Sequence, residues 1–143
     1  MTLSREAALE ALPLLRVTWP ALTADSWRDY LHFVGVRSGP GSGGVLVLRD
    51  VDDYICGLMV YEVARDLFEG PVLTVSVFTA VDLANSPIPA HRLLEAARTA
   101  AADFGCAGVQ IRLYDGQTGL AAQVRDHGFV DRAGYLWAPT RTA

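Results

Sequence analysis

The chain has 143 residues, enough for one domain and short for two. Hydrophobic residues make up 51% and charged residues 20%, which excludes disordered, collagenous and coiled-coil classes. Net charge is −4 and all twelve basic residues are arginine, so chemistry that needs a lysine (a Walker-type phosphate loop, a Schiff base, pyridoxal catalysis) is excluded. The mild acidity, with no basic run, argues against nucleic acid as a main partner.

In chain order, residues 4 to 15 predict a helix, with Ser4 as N-cap and Ala8, Leu9, Leu12 and Leu15 at helical spacing. Trp19-Pro20 ends it. A second helix starts near Thr23 or Asp25 and runs to Val34, with Trp27, Tyr30, Leu31 and Val34 as its apolar stripe. Residues 37 to 44 (RSGPGSGG) read as a loop. Gly39, Gly41 and Gly44 match G-x-G-x-x-G formally, but a helix precedes them and a strand follows, the reverse of a dinucleotide site.

Val45–Leu48 and Tyr54–Val63 predict a hairpin across the turn Asp50–Asp53. Val72–Val81 is the strongest strand signal, β-branched through most of its length, with Thr74 and Ser76 alternating against Leu73, Val75 and Val77. Residues 91 to 104 give the clearest helix: Leu93, Leu94, Ala97, Ala101 and Phe104 share one face, Pro89 suits its first turn and Gly105 its C-terminal cap. A strand at Val109–Leu113, a short helix at Leu120–His127 closed by Gly128, and a last strand at Tyr135–Ala138 complete the series. The strand–helix–strand unit spanning 72 to 113 implies a parallel pair with a right-handed crossover, and the earlier strands an antiparallel hairpin. The expectation is one α/β (α+β) domain over 1–143, its mixed, mostly antiparallel sheet centred on a parallel βαβ unit.

Cys56 and Cys106 each sit in an apolar run, as buried structural thiols do, and no Cys/His cluster suggests a metal. No apolar segment suits a signal peptide or a membrane span, so a cytoplasmic protein with no membrane partner is expected.

The stretches VSVFTAVDLANSPIPAHRLLEAARTAAADFGCAGVQIRL and LAAQVRDHGF carry a resemblance. A long strand, a turn, a helix opened by Leu-Leu, a strand and a short helix closed by Gly-Phe resemble the GCN5-related N-acetyltransferase (GNAT) superfamily over residues 4 to 138. The family's usual first strand is missing from this element order. The resemblance implies an acyl-CoA N-acyltransferase-like fold and a coenzyme, acetyl-CoA, whose pyrophosphate binds the turn before the helix. That turn is Asn85, Ser86, Pro87, Ile88, Pro89 and Ala90 here. Asn85 replaces Gln or Arg, Ile88 replaces a glycine, and the two prolines lack an N–H. The surviving donors expected at the coenzyme are Ser86, Ile88, Ala90, His91 and Arg92, with a backbone N–H of Ala80 or its neighbour Val81 polarising the acyl carbonyl. Binding is expected to be weak.

The family's general base is often acidic. Thr74, Ser76 and Thr79 are not competent alone, which leaves Glu62, Asp82 and Asp115 as candidates beside a plain reading as solvated carboxylates. The family's acid, a tyrosine, falls on Val124; Tyr114 and Tyr135 stand elsewhere, and His127 reads as a helix-end residue. The catalytic residues are therefore not identified by sequence. The implied activity is acetyl transfer to a small-molecule or peptide amine; the alternative is a non-catalytic binding or interaction module on the same fold. Trp19, Trp27 and Trp137 leave room for an apolar homodimer interface.

Overall fold

A computed structural model describes residues 2–4, 8–38, 42–81, 87–132 and 134–140. A short strand, β1 (Thr2–Ser4), leads through a 3₁₀ turn at Ala8–Ala11 into helix α1 (Leu12–Thr18) and helix α2 (Ala24–Ser38). Strands β2 (Gly43–Arg49), β3 (Ile55–Asp66) and β4 (Gly70–Ala80) form an antiparallel meander. Helix α3 (Ile88–Asp103) then crosses to β5 (Gly108–Ile111), followed by α4 (Thr118–Asp126) and the hairpin β6 (Val130–Arg132) and β7 (Tyr135–Pro139). All seven strands join one sheet in the order β1-β2-β3-β4-β5-β7-β6, so β4 is central. Its pairing with β5 is parallel, as the strand–helix–strand unit implies.

Two expectations fail at the N-terminus. Ser4 is not a helix cap but lies in β1, which pairs antiparallel with β2, so the opening strand is present after all. Three residues are too few to show period-2 alternation, and this edge strand owes its place to the ladder of β2. The helix also starts later, at Leu12, where Pro13 falls in the first turn that tolerates it. Thr23 does cap α2: its hydroxyl accepts the Ser26 N–H at 3.1 Å. The sequence expectation of a loop over 37–44 narrows, because α2 runs to Ser38 and β2 starts at Gly43; Gly39–Gly41 lie outside the described residues.

The sheet carries a helical layer on each face. On one face α3 and α4 pack Leu93, Leu94, Ala97, Ala101 and Val124 onto Leu73, Val75 and Phe78. On the other, α1 and α2 pack Leu15, Trp27 and Val34 onto Leu58, Val60 and Val77. Burying each large side chain contributes about 1.5–3 kcal/mol. Val77 was expected on the face of Leu73 and Val75. It lies opposite because β4 has a bulge: Val60 faces Val77 while the next residue, Tyr61, faces Val75. Ser76 is the extra residue, and it reverses the phase of the strand beyond it.

Cys56 and Cys106 are buried and free, and burial pushes both thiols above their ordinary range. Phe104 is only partly buried, because it is the C-cap of α3 and meets Tyr61 at a ring-centroid distance of 6.5 Å. Trp27 and Trp137 are buried within the chain, so they supply no interface of the kind the sequence suggests. No helix among the described residues is long and apolar enough to cross a membrane.

Two glycines test this packing in opposite directions. A Cβ on Gly108 would stand 2.6 Å from the Ala138 carbonyl oxygen and 2.6 Å from the Trp137 ring, where backbone cannot give way cheaply. Gly108→Ala should cost at least about 1–3 kcal/mol. Gly35, mid-helix in α2, has nothing within 4 Å. Gly35→Ala should stabilise by about 0.5–1 kcal/mol. Urea denaturation of both variants measures the two signs; equal effects would mean that the β5–β7 contact is misplaced.

Candidate functional site

The site begins where the central strands part. β4 and β5 pair only from Leu73–Val109 to Val75–Ile111, and the Arg112 N–H still donates to the Val75 carbonyl at 3.0 Å. Beyond the bulge, β4 runs on to Ala80 without β5 beside it. The Phe78 carbonyl points into this gap, since it accepts a bond from Gln117 Nε2 at 2.9 Å. Strand alternation turns the N–H and C=O of Ala80 the same way and those of Val81 towards β3, where its N–H donates to the Cys56 carbonyl at 2.8 Å. Of the two expected carbonyl polarisers, the geometry leaves Ala80.

Gln117 is buried and was not singled out by sequence. Its Oε1 also accepts the Tyr114 N–H at 2.8 Å, so one side-chain amide bridges the gap from Phe78 to the segment after β5. A lone Gln after Asp-Gly looks like a turn residue, and only the fold brings it across 39 positions to Phe78.

At the end of β4, residues 82–86 are outside the described set, so Asp82, Asn85 and Ser86 receive no placement. Pro87 is the N-cap of α3, and Ile88, Pro89 and Ala90 are its first turn. Only Ile88 and Ala90 bring first-turn amides. The His91 N–H is spent on the Pro87 carbonyl at 3.0 Å, so His91 offers its ring and not its amide. That ring forms a chain: His91 Nε2 lies 2.7 Å from Glu95 Oε1, His91 Nδ1 lies 2.8 Å from His127 Nε2, and His127 Nδ1 lies 2.7 Å from the Gln123 carbonyl. The two rings thus link Glu95 of α3 to the last turn of α4. His127 is therefore more than a helix-end residue. Arg92 lines a different groove, on the flank of α3 that faces Leu46 and Tyr61.

An aromatic cleft of about 520 Å³ lies on the α1–α2 face. Val77 of β4 and Tyr114, from the segment after β5, both line it, so it abuts the gap. Trp19 meets Tyr114 edge-on at 5.3 Å, and Trp27 stacks on Tyr30 at 5.9 Å. The polar tips are tied inward: Trp27 Nε1 donates to the Ala8 carbonyl at 2.9 Å, and the Tyr30 and Ser76 hydroxyls bond at 2.7 Å. Among the described residues that line it there is no carboxylate. Aromatic faces return about 0.5–2 kcal/mol to a cation. Stripping an ion of water costs several kcal/mol. On balance the cleft disfavours a buried charge.

Of the acidic candidates with a described position, neither Glu62 nor Asp115 lines it. Glu62 pairs with Thr74 low on the sheet, and Asp115 lines a separate cavity beneath α4 with Tyr135 and Arg125. Val124 is fully buried and carries no proton donor. Two phenols line the cleft, Tyr30, whose hydroxyl meets Ser76, and Tyr114. Thr79 is buried, and among the described residues no group of His, Cys, Asp or Glu is arranged for a metal.

No family model and no curated protein matches the chain by sequence. Solved structures do match. The aminoglycoside N-acetyltransferase AAC(6')-Iy in complex with CoA superposes with a TM-score of 0.72 at 15% identity, over 92% of this chain and 87% of its own. Spermidine N-acetyltransferase from Vibrio cholerae, in complex with CoA and spermine, gives 0.67 at 10% identity over 97% and 95%. Glucosamine-6-phosphate N-acetyltransferase from Arabidopsis thaliana gives 0.64 at 11% identity over 92% of both chains. The chain has the GNAT, acyl-CoA N-acyltransferase-like fold.

The Gln117 bridge makes a direct test. Gln117→Ala removes two hydrogen bonds and leaves the Phe78 carbonyl without this partner, a cost of about 2–4 kcal/mol. Chemical denaturation should register it; a loss below about 0.5 kcal/mol, within the range of neutral surface changes, would mean that the bridge does not hold the gap.

Proposed function

We propose that this chain is an acyl-CoA-dependent N-acyltransferase that acetylates an amine. The observation that carries the proposal is the parting of β4 from β5, which turns the Phe78 and Ala80 backbone into a gap beside the aromatic cleft. The likeness in fold to the N-acetyltransferases above agrees with it. When bound, the acyl thioester supplies the acetyl group: the acceptor nitrogen forms the C–N bond as the C–S bond breaks, and a proton passes from nitrogen to sulfur. The Ala80 N–H sits where a backbone donor can stabilise charge on an acyl oxygen. Tyr114, a phenol at the cleft, is the candidate proton donor to the leaving sulfur.

The start of α3 suits an anionic pyrophosphate through the Ala90 amide, the helix dipole and the paired His91 and His127 rings beside it. Arg92 adds charge from the other flank. Each proline removes a donor worth about 1.5–3 kcal/mol to a charged acceptor. Affinity therefore falls by about two to four powers of ten. The acceptor is a small-molecule or peptide amine.

Calorimetric titration with acetyl-CoA tests this. The native chain should bind weakly, and Pro87→Gly with Pro89→Gly should tighten binding at least about tenfold as two donors return, less the entropy of the freed turn. His91→Ala should weaken binding, and Arg92→Ala should weaken it and flatten its salt dependence. Tight native binding indifferent to these changes would overturn the donor assignment. No binding by either the native or the double-glycine chain would leave a non-catalytic module.

A further inference from the structure

We propose that the acceptor is an aromatic amine bound uncharged, its ring held in the cleft between α1, α2 and Tyr114. This rests on the acyltransferase reading and names its substrate class. Three independent observations lead to it.

The first is shape and chemistry. Four rings, Trp19, Trp27, Tyr30 and Tyr114, line one cleft of about 520 Å³, within the range of small-molecule pockets. Because the Trp27 and Tyr30 polar tips are bound to Ala8 and Ser76, these walls present carbon to a guest. An aromatic ring packs edge-on or offset against such walls, the geometry that Trp19 and Tyr114 already show with each other.

The second is charge. Among the described residues, two cations meet the walls. Arg16 donates to the Leu22 carbonyl at 2.9 Å, and the Arg112 guanidinium lies 5.7 Å from the centre of the Tyr114 ring. Asp25, Asp29 and Asp115 each adjoin a lining residue in sequence but are exposed, Asp25 paired with Arg28. A polyamine or alkyl ammonium would enter dehydrated, beside like charge and with no carboxylate among the described walls to meet it. A sugar or peptide would meet few polar partners.

The third is that no general base lines the cleft among the described residues. Glu62 is on the sheet at Thr74, Asp115 lines the cavity beneath α4, and the described polar side chains of β4 beyond Val75 are Ser76 and Thr79. An alkyl amine is protonated at neutral pH and must lose that proton before its nitrogen can attack. An aromatic amine keeps its lone pair free at neutral pH, and its nitrogen sheds its proton only as the new bond forms. A site without a base is adequate for the second and poor for the first.

Two isomers separate these properties, because 4-ethylaniline and 2-phenylethylamine share a formula and differ in charge at pH 7.5. Quenching of tryptophan fluorescence, measured without coenzyme, should show 4-ethylaniline binding at least about tenfold tighter. Trp19→Ala should abolish most of that affinity, and Trp19→Phe should keep it. Ser26→Asp places a carboxylate on the cleft wall at a helix position that favours acids, and should shift the preference towards 2-phenylethylamine. Equal or tighter binding of 2-phenylethylamine to the native chain, or no binding of either, overturns the proposal. Acetyl transfer from acetyl-CoA is read separately. If 4-ethylaniline binds but is never acetylated, the acyltransferase reading fails and the cleft assignment stands; if both isomers are acetylated equally, the reverse holds.

Discussion

One extra residue in the central strand sets the rest of the structure. Ser76 bulges from β4, and beyond it the strand presents Val77 to the α1–α2 layer and Phe78 to the α3–α4 layer. The bulge coincides with the last pairing to β5, at Val75–Ile111. A regular strand would have carried the ladder further and closed the gap. The Ser76 hydroxyl then meets Tyr30, so the irregularity also anchors α2 and one wall of the cleft. Gap, cleft and two-sided core follow from the same backbone event.

The two helical layers divide the chemistry. On the α3–α4 side are the polar devices: the Ala90 amide, and the histidine chain that ties the start of α3 to the end of α4. Arg98 joins these helices a second time, donating to the His127 carbonyl. On the α1–α2 side are aromatic walls. Tyr114 lies between the layers, edge-on to Trp19 and held through its own N–H by Gln117. An anionic handle on one side and an apolar acceptor on the other would meet at the exposed backbone of β4.

Much of the frame was legible in the sequence. The α3 stripe of Leu93, Leu94, Ala97 and Ala101 is buried as its 3.6-residue period implies, and β-branched density marked β4 as central. The bulge was not legible, because the run Val75-Ser76-Val77 alternates as well as a regular strand does. β1 and β6 were too short to carry a pattern. The cleft was hidden for another reason: Trp27 and Tyr30 read simply as the core face of α2, and nothing local pairs Trp19 with Tyr114 across 95 positions. Gln117 acts only through tertiary contacts, so its role had no sequence signature.

The Gln117 bridge has a consequence for how the gap can be entered. A strand pairs through its backbone and is displaced only by moving a whole segment. A side-chain amide satisfies the same carbonyl but withdraws by rotating its own bonds, a motion faster by orders of magnitude than segment opening. A guest that brings an amide N–H can take the Phe78 carbonyl as Gln117 leaves, and a guest carbonyl or water can take the Tyr114 N–H that Gln117 gives up. The protein thus holds this position in the ladder with a removable substitute, and admission to the gap requires no unpairing of the sheet.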